Sequence, residues 1–281
     1  LGAISALPGA FMTALSAALS VLAMTRAGLP VSTSQAIVGA IIGWNLFSYN
    51  PTDSVVLTKI TSTWIICPIL SGIIAIILIR LFKFFGKLIP IHMVFADAYT
   101  RFALIISGAL GAYSLGANNI ANVVGVFIPA QPLPPLIVGS LTLTSLQQLL
   151  LVGGLAIALG VCTYSRKVML TVGGQLGNLS TTAGLIAVIS HSIVLFIFAS
   201  RGLEAWLSNL GLPTIPLVPV SSSQALVGAV VGISLLQGLS GVRWGVLGQI
   251  VLGWIFTPML ACLTCFIGLF ILQNVFALVV L

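Results

Sequence analysis

The sequence predicts an all-α polytopic membrane protein built on an inverted-topology repeat with broken and re-entrant half-helices. Three observations predict it. First, hydrophobic residues make up 59% of the 281 residues and charged residues 5%, against roughly 25% charged in ordinary soluble domains. Second, apolar runs long enough to cross a bilayer recur along the chain, and stretches such as Ile73–Leu78 (IIAIIL) lack the period-two alternation of a barrel strand. Third, Pro30–Gly43 reads PVSTSQAIVGAIIG and Pro219–Gly232 reads PVSSSQALVGAVVG, identical at ten of fourteen positions.

Eight membrane segments follow from the apolar runs, at roughly 4–25, 30–48, 56–80, 97–128, 136–163, 178–200, 219–237 and 246–276. The first contains Pro8, and the second and seventh are the duplicated, Pro-headed segments. The fourth is expected to break at Gly116-Ala117-Asn118-Asn119, polar residues far from either end. A net charge of +7 would suggest nucleic acid in a soluble chain. Here the basic residues sit at span ends, so no nucleic-acid partner is expected and the charge sets orientation instead. If every segment crosses, Arg26, Arg80, Lys83, Lys87, Arg166, Lys167 and Arg243 share one side, which the positive-inside rule makes cytoplasmic. Lys59, Arg201, Asp53 and Glu204 fall on the other. The four cysteines all lie in apolar segments at spacings that fit no zinc site, so no tightly bound metal is expected.

The repeat reaches beyond the opening motif. Trp64-Ile65-x-x-Pro68-x-Leu70 is echoed by Trp254-Ile255-x-x-Pro258-x-Leu260. Arg26 before Pro30 corresponds to Arg201 before Pro219, with an insertion around Glu204–Leu210. Under the charge assignment the second segment runs outward and the seventh inward, so the copies are inverted. Residues 1–92 then form the C-terminal part of a first repeat, with about three segments, and residues 93–281 a second repeat of about five. By this register about two spans of the first repeat belong upstream of Leu1.

The polar residues of the repeat carry the chemistry. Ser32, Thr33 and Ser34 follow Pro30, and Ser221, Ser222 and Ser223 follow Pro219. Proline suits the first turn of a helix and Ser or Thr its cap. A helix start carries about half a positive charge and several unpaired N–H donors, so it binds tetrahedral oxyanions without Arg or Lys. Two such starts from an inverted repeat are expected to frame one anion near the midplane. Gly116–Asn122 (GANNIAN) is the second candidate. Asn118, Asn119 and Asn122 would be costly in lipid unless they faced a partner or a cavity.

The segments PVSTSQAIVGAIIG, GANNIANVVG and PVSSSQALVGAVVG resemble the inorganic phosphate transporter (PiT) family of phosphate permeases and related sulfate permeases. The family pattern has a GANDxAN motif and a PVSTTHAIVG-like motif in each half, and this chain matches three of the four in order. The resemblance implies a PiT-like fold and a symporter importing inorganic phosphate with Na⁺ or H⁺ through the plasma membrane. No cofactor is implied beyond the coupling ion, and a homodimer is compatible with it. By position, Ser32, Thr33, Ser34, Asn118, Asn119, Asn122, Ser221, Ser222 and Ser223 would line the anion site. Asn119 stands where the family usually has Asp, and Gln35 and Gln224 where it often has His. These three are the candidates for the coupling cation. Asn is neutral and can donate as well as accept, so losing the acid weakens the case for strongly bound Na⁺. It also removes one means of telling protonated phosphate from sulfate, and a sulfate or other tetrahedral-oxyanion permease is the alternative.

Two other classes compete. Gly238-Leu239-Ser240-Gly241 spells the GxSG of intramembrane serine enzymes, but it lies at the end of the seventh segment with no base placed beside it; no enzyme is expected. A channel, or an assembly subunit without transport of its own, would share the broken helices; a channel would conduct ohmically.

Overall fold

Two short helices explain much of the architecture. A computed structural model of the chain describes residues 4–88, 93–130, 133–139, 141–172, 180–215, 217–236, 238 and 242–281. Its helices are α1 (Leu7–Arg26), α2 (Thr33–Phe47), α3 (Ser54–Leu88), α4 (Met93–Val124), α5 (Ser145–Tyr164), α6 (Arg166–Leu170), α7 (Thr181–Ala199), α8 (Arg201–Asn209), α9 (Ser222–Leu235) and α10 (Trp244–Asn274). With 15 and 14 residues, α2 and α9 are about 21–22 Å long at 1.5 Å per residue, short of the ~30 Å hydrocarbon core. They are the half-helices the duplicated segments predict. Among the described residues five helices are long and apolar enough to cross: α1, α3, α5, α7 and α10.

Local chemistry sets the boundaries. Pro8 falls in the first turn of α1, where its missing N–H costs nothing. Ser32 and Ser221 cap α2 and α9 from extended backbone. Thr144 and Gln147 form a reciprocal capping box that opens α5, and Gln148 donates to the carbonyls of Pro134 and Leu143. The expected segment 136–163 therefore does not begin as a helix. Its first residues form an antiparallel hairpin, β1 (Leu136–Val138) against β2 (Leu141–Leu143), with Gly139 at φ +61°.

The expected break at Gly116 is absent. α4 runs without interruption through Gly116-Ala117-Asn118-Asn119. Asparagine breaks helices when its side chain competes for local backbone groups. Here the amides of Asn118, Asn119 and Asn122 all bond to groups outside α4, and the helix keeps its own ladder. A Cβ added at Gly116 would meet nothing within 4 Å. Gly116→Ala should therefore leave the fold intact and raise stability by up to ~1 kcal/mol through helix propensity, read as an unchanged or higher Tm of the purified protein.

The chain forms two compact units, each drawing on both sides of residue 92. Residues 1–58, 119–167 and 251–281 make the first. Its core gathers Ala10 and Ala17 of α1, Ala36, Ala40 and Trp44 of α2, and Ala261, Cys265 and Leu269 of α10. Residues 59–118 and 168–250 make the second. Its core holds Cys67 of α3, Val194, Leu195 and Phe198 of α7, and Val220 and Ala225 at the start of α9.

Each unit seats its half-helix in the same way. In the first, Gly39 and Gly43 of α2 lie on the backbone of α10: a Cβ at Gly39 would stand 2.6 Å from Pro258 Cα, and one at Gly43 would strike the Cys262 carbonyl. In the second, Gly228 and Gly232 of α9 lie on α3: a Cβ at Gly228 would stand 2.6 Å from Pro68 Cα, and one at Gly232 2.6 Å from the Gly72 carbonyl oxygen. Without a hydrophobic driving force between helices in lipid, such close backbone approach supplies the dispersion contacts that hold them.

Candidate anion-binding site

The start of α2 is built from three separate stretches of the first unit. Ser32 Oγ accepts from the Gln35 N–H at 3.2 Å, spending one orphan donor of the first turn. The indole Nε1 of Trp254 donates to the Pro30 carbonyl at 2.9 Å and holds the approach to the cap. Asn122 Nδ2 donates to Ser34 Oγ at 2.8 Å and to Asn119 Oδ1 at 3.2 Å. Thr33 Oγ1 donates to Asn119 Oδ1 at 3.1 Å. Residues 86 and 88 positions apart thus meet, and Asn119 and Asn122 of the GANNIAN motif join the PVSTSQ motif in one hydrogen-bonded cluster.

The start of α9 has its own version in the second unit. Ser221 Oγ accepts from the Gln224 N–H at 3.2 Å and lies 3.3 Å from Ser223 Oγ. Asn118 is clamped to the backbone in both directions: its Nδ2 donates to the Val220 carbonyl at 2.8 Å, and its Oδ1 accepts from the Val220 N–H at 3.2 Å. Cys67 Sγ donates to the Ser221 carbonyl at 3.6 Å. Ser222 opens α9, half-buried.

These contacts settle where each expected residue stands. Thr33, Ser34, Asn119 and Asn122 come together in the first unit. Asn118, Ser221 and Ser223 share the second with Ser222. Gln35 and Gln224 are both 2% exposed, and the side-chain oxygen of each is buried without a hydrogen-bond partner. A buried, unpaired carbonyl oxygen is costly, and its repetition at equivalent positions marks both helix starts as unsatisfied toward a donor or a cation. Ser32 and Ser221 accept from the backbone, which leaves their hydroxyl protons to point elsewhere. With no carboxylate in the cluster among the described residues, the positive end of the helix dipole suits an anion. Hydroxyls, amide N–H groups and a helix start together suit an oxyanion.

Sequence reasoning missed the groups behind these residues. Trp254 fixes Pro30, whereas the equivalent Trp64 has its Nε1 buried without an acceptor. The signal was present, since both tryptophans belong to the repeated Trp-Ile-x-x-Pro pattern. Leu239-Ser240-Gly241 of the GxSG stretch lie outside the described residues.

A family model described as "Phosphate transporter family" matches residues 3–265. The chain is 29% identical to a "putative phosphate permease" of Methanocaldococcus jannaschii, over 85% of this chain and 67% of that protein. It is 29% identical to the sulfate permease CysP of Bacillus subtilis, over 87% of this chain and 61% of that protein. It is 25% identical to a "probable low-affinity inorganic phosphate transporter" of Rhizobium meliloti, over 84% and 66%. No solved structure matches the chain.

Proposed function

Because the chain belongs to the phosphate transporter family, we propose that this multi-pass protein of the plasma membrane imports inorganic phosphate as a secondary active symporter, driven by Na⁺ or H⁺. The observation that carries the reading is the cluster in which Asn119 and Asn122 hold the hydroxyls of Thr33 and Ser34 at the start of α2. Asn122 holds Ser34 by donating to its oxygen, whereas Thr33 gives its own proton to Asn119; fixing both rotors before the anion arrives lowers the ordering cost of binding. Ser221, Ser222 and Ser223 are the corresponding hydroxyls at the start of α9, within the second unit, and Ser32 belongs with Thr33 and Ser34. The unpaired oxygens of Gln35 and Gln224 are the groups best suited to a coupling cation, because hard cations take neutral oxygen ligands. Asn119 is the weaker third candidate.

One observation favours sulfate as a second reading. Asn119 Oδ1 already accepts from both Thr33 and Asn122, so two donors occupy the oxygen that would receive the P–OH proton of monohydrogen phosphate. Sulfate, which carries no proton at neutral pH, does not need that acceptor. The relative named a sulfate permease is consistent with this.

Uptake of labelled phosphate and labelled sulfate by the full-length protein in proteoliposomes, under imposed Na⁺ or H⁺ gradients, tests both readings. Saturable, gradient-driven phosphate uptake is expected. Sulfate uptake with phosphate ignored would select the second reading, and uptake that follows no cation gradient would overturn the symport.

A further inference from the structure

One well-built element has no place in the site. α8 (Arg201–Asn209) follows α7 with only Ser200 between them, and α7 is a 19-residue apolar span. α8 therefore begins where a membrane-crossing helix ends. It is also extra: Arg26 stands four residues before Pro30, whereas Arg201 stands eighteen before Pro219. The additional length was spent on a helix closed at both ends. Ser200 Oγ accepts from the Leu203 N–H at 3.2 Å. At the other end Gly211, at φ +67°, donates to Ser208 and Leu212 donates to Leu207, both at 3.0 Å, the Schellman pattern.

Its faces are sharply divided. Leu203, Trp206, Leu207 and Leu210 fall at i, i+3, i+4 and i+7, within about 100° of the helix circumference. Arg201, Glu204, Ser208 and Asn209 occupy the other side. Leu203 and Leu207 are half-buried against the protein, but Trp206 is 58% and Leu210 56% exposed. A tryptophan and a leucine on the same exposed edge, at the level where a span leaves the hydrocarbon, match an in-plane interfacial helix.

We propose that α8 lies in the headgroup–acyl boundary of the bilayer, with Trp206 and Leu210 inserted into lipid and Arg201 and Glu204 facing water. The occupant of this face is the lipid interface itself. Its continuity with the end of α7 and the aromatic–aliphatic edge argue for lipid over a protein partner. Anchored there, α8 fixes the depth from which the chain, through Pro213 and Pro219, leads to the Ser221 cap of α9.

The test uses the full-length protein reconstituted in phosphatidylcholine vesicles whose acyl chains carry bromine either close to the headgroup or close to the chain ends. The contribution of Trp206 is isolated as the difference in emission between the wild type and Trp206→Phe, a change at an exposed site that leaves the fold intact. Bromine close to the headgroup is expected to quench that difference on the order of two-fold, chain-end bromine less, and aqueous iodide little, as for an interfacial ring. Strong iodide quenching without a bromine effect would place the helix in water and overturn the proposal. Insensitivity to all three quenchers would place Trp206 against protein, such as a second copy, and overturn it equally.

Discussion

Replacing Gly228 or Gly39 by valine is expected to cut the recovery of monodisperse protein several-fold, or to abolish it. The close approach at each site is to backbone. A Cβ would stand 2.6 Å from Pro68 Cα in one case and 2.6 Å from Pro258 Cα in the other. A flexible side chain could swing away, but a main chain within a long helix cannot. Overpacking a well-filled interior typically costs about 1–3 kcal/mol, and here the β-branched side chain would also push the half-helix off the surface that orients its capped start. Gly184→Val is the control, since a Cβ there meets nothing within 4 Å. Size-exclusion profiles and Tm values in detergent check the three variants. Wild-type behaviour of Gly228→Val would mean that α9 does not lie on Pro68.

The second large effect is on transport. Asn122→Ala is expected to lower anion uptake by roughly tenfold or more. It removes the donor that holds Ser34 and one of two donors to Asn119, and each such hydrogen bond contributes about 0.5–1.5 kcal/mol. The loss should fall mainly on KM, because the hydroxyls are misdirected before the anion binds. Gly116→Ala, on the same helix and touching nothing, should transport normally. Equal uptake by wild type and Asn122→Ala would sink the site assignment even if the family membership stands.

The helix starts were legible because their cause is local. Proline, a hydroxyl cap and a following apolar run specify a half-helix in any context, and the duplication marked it twice. α4 was misread for the opposite reason. Gly-Ala-Asn-Asn looks like a break when only neighbouring residues are considered, yet the asparagines spend their amides on Val220, Thr33 and Ser34, far away in sequence. The hairpin at 136–143 hid inside an apolar run, although Gly139-Ser140 between two short β-type stretches is a hairpin signature. The close neighbour of the glycines four apart on α2 and α9 was not read from the sequence. The neighbour was the other recurring element of the repeat, the Pro68 and Pro258 helices, each taken from the opposite half of the sequence.

That exchange has a consequence for biosynthesis. Gly39 finds its seat on Pro258, a residue made about 219 positions later. At roughly 5–20 residues per second the ribosome takes on the order of 10–45 s to supply it. During that interval α2, with its polar cap and its glycine face bare, has to be sheltered by the insertion machinery or by transient neighbours. The second unit is complete once Ile250 has been made, whereas the first draws on residues through Leu281. The order of assembly is therefore written into the connectivity, and a ribosome stalled before α10 would leave the Ser32 helix start unseated in an otherwise half-assembled membrane protein.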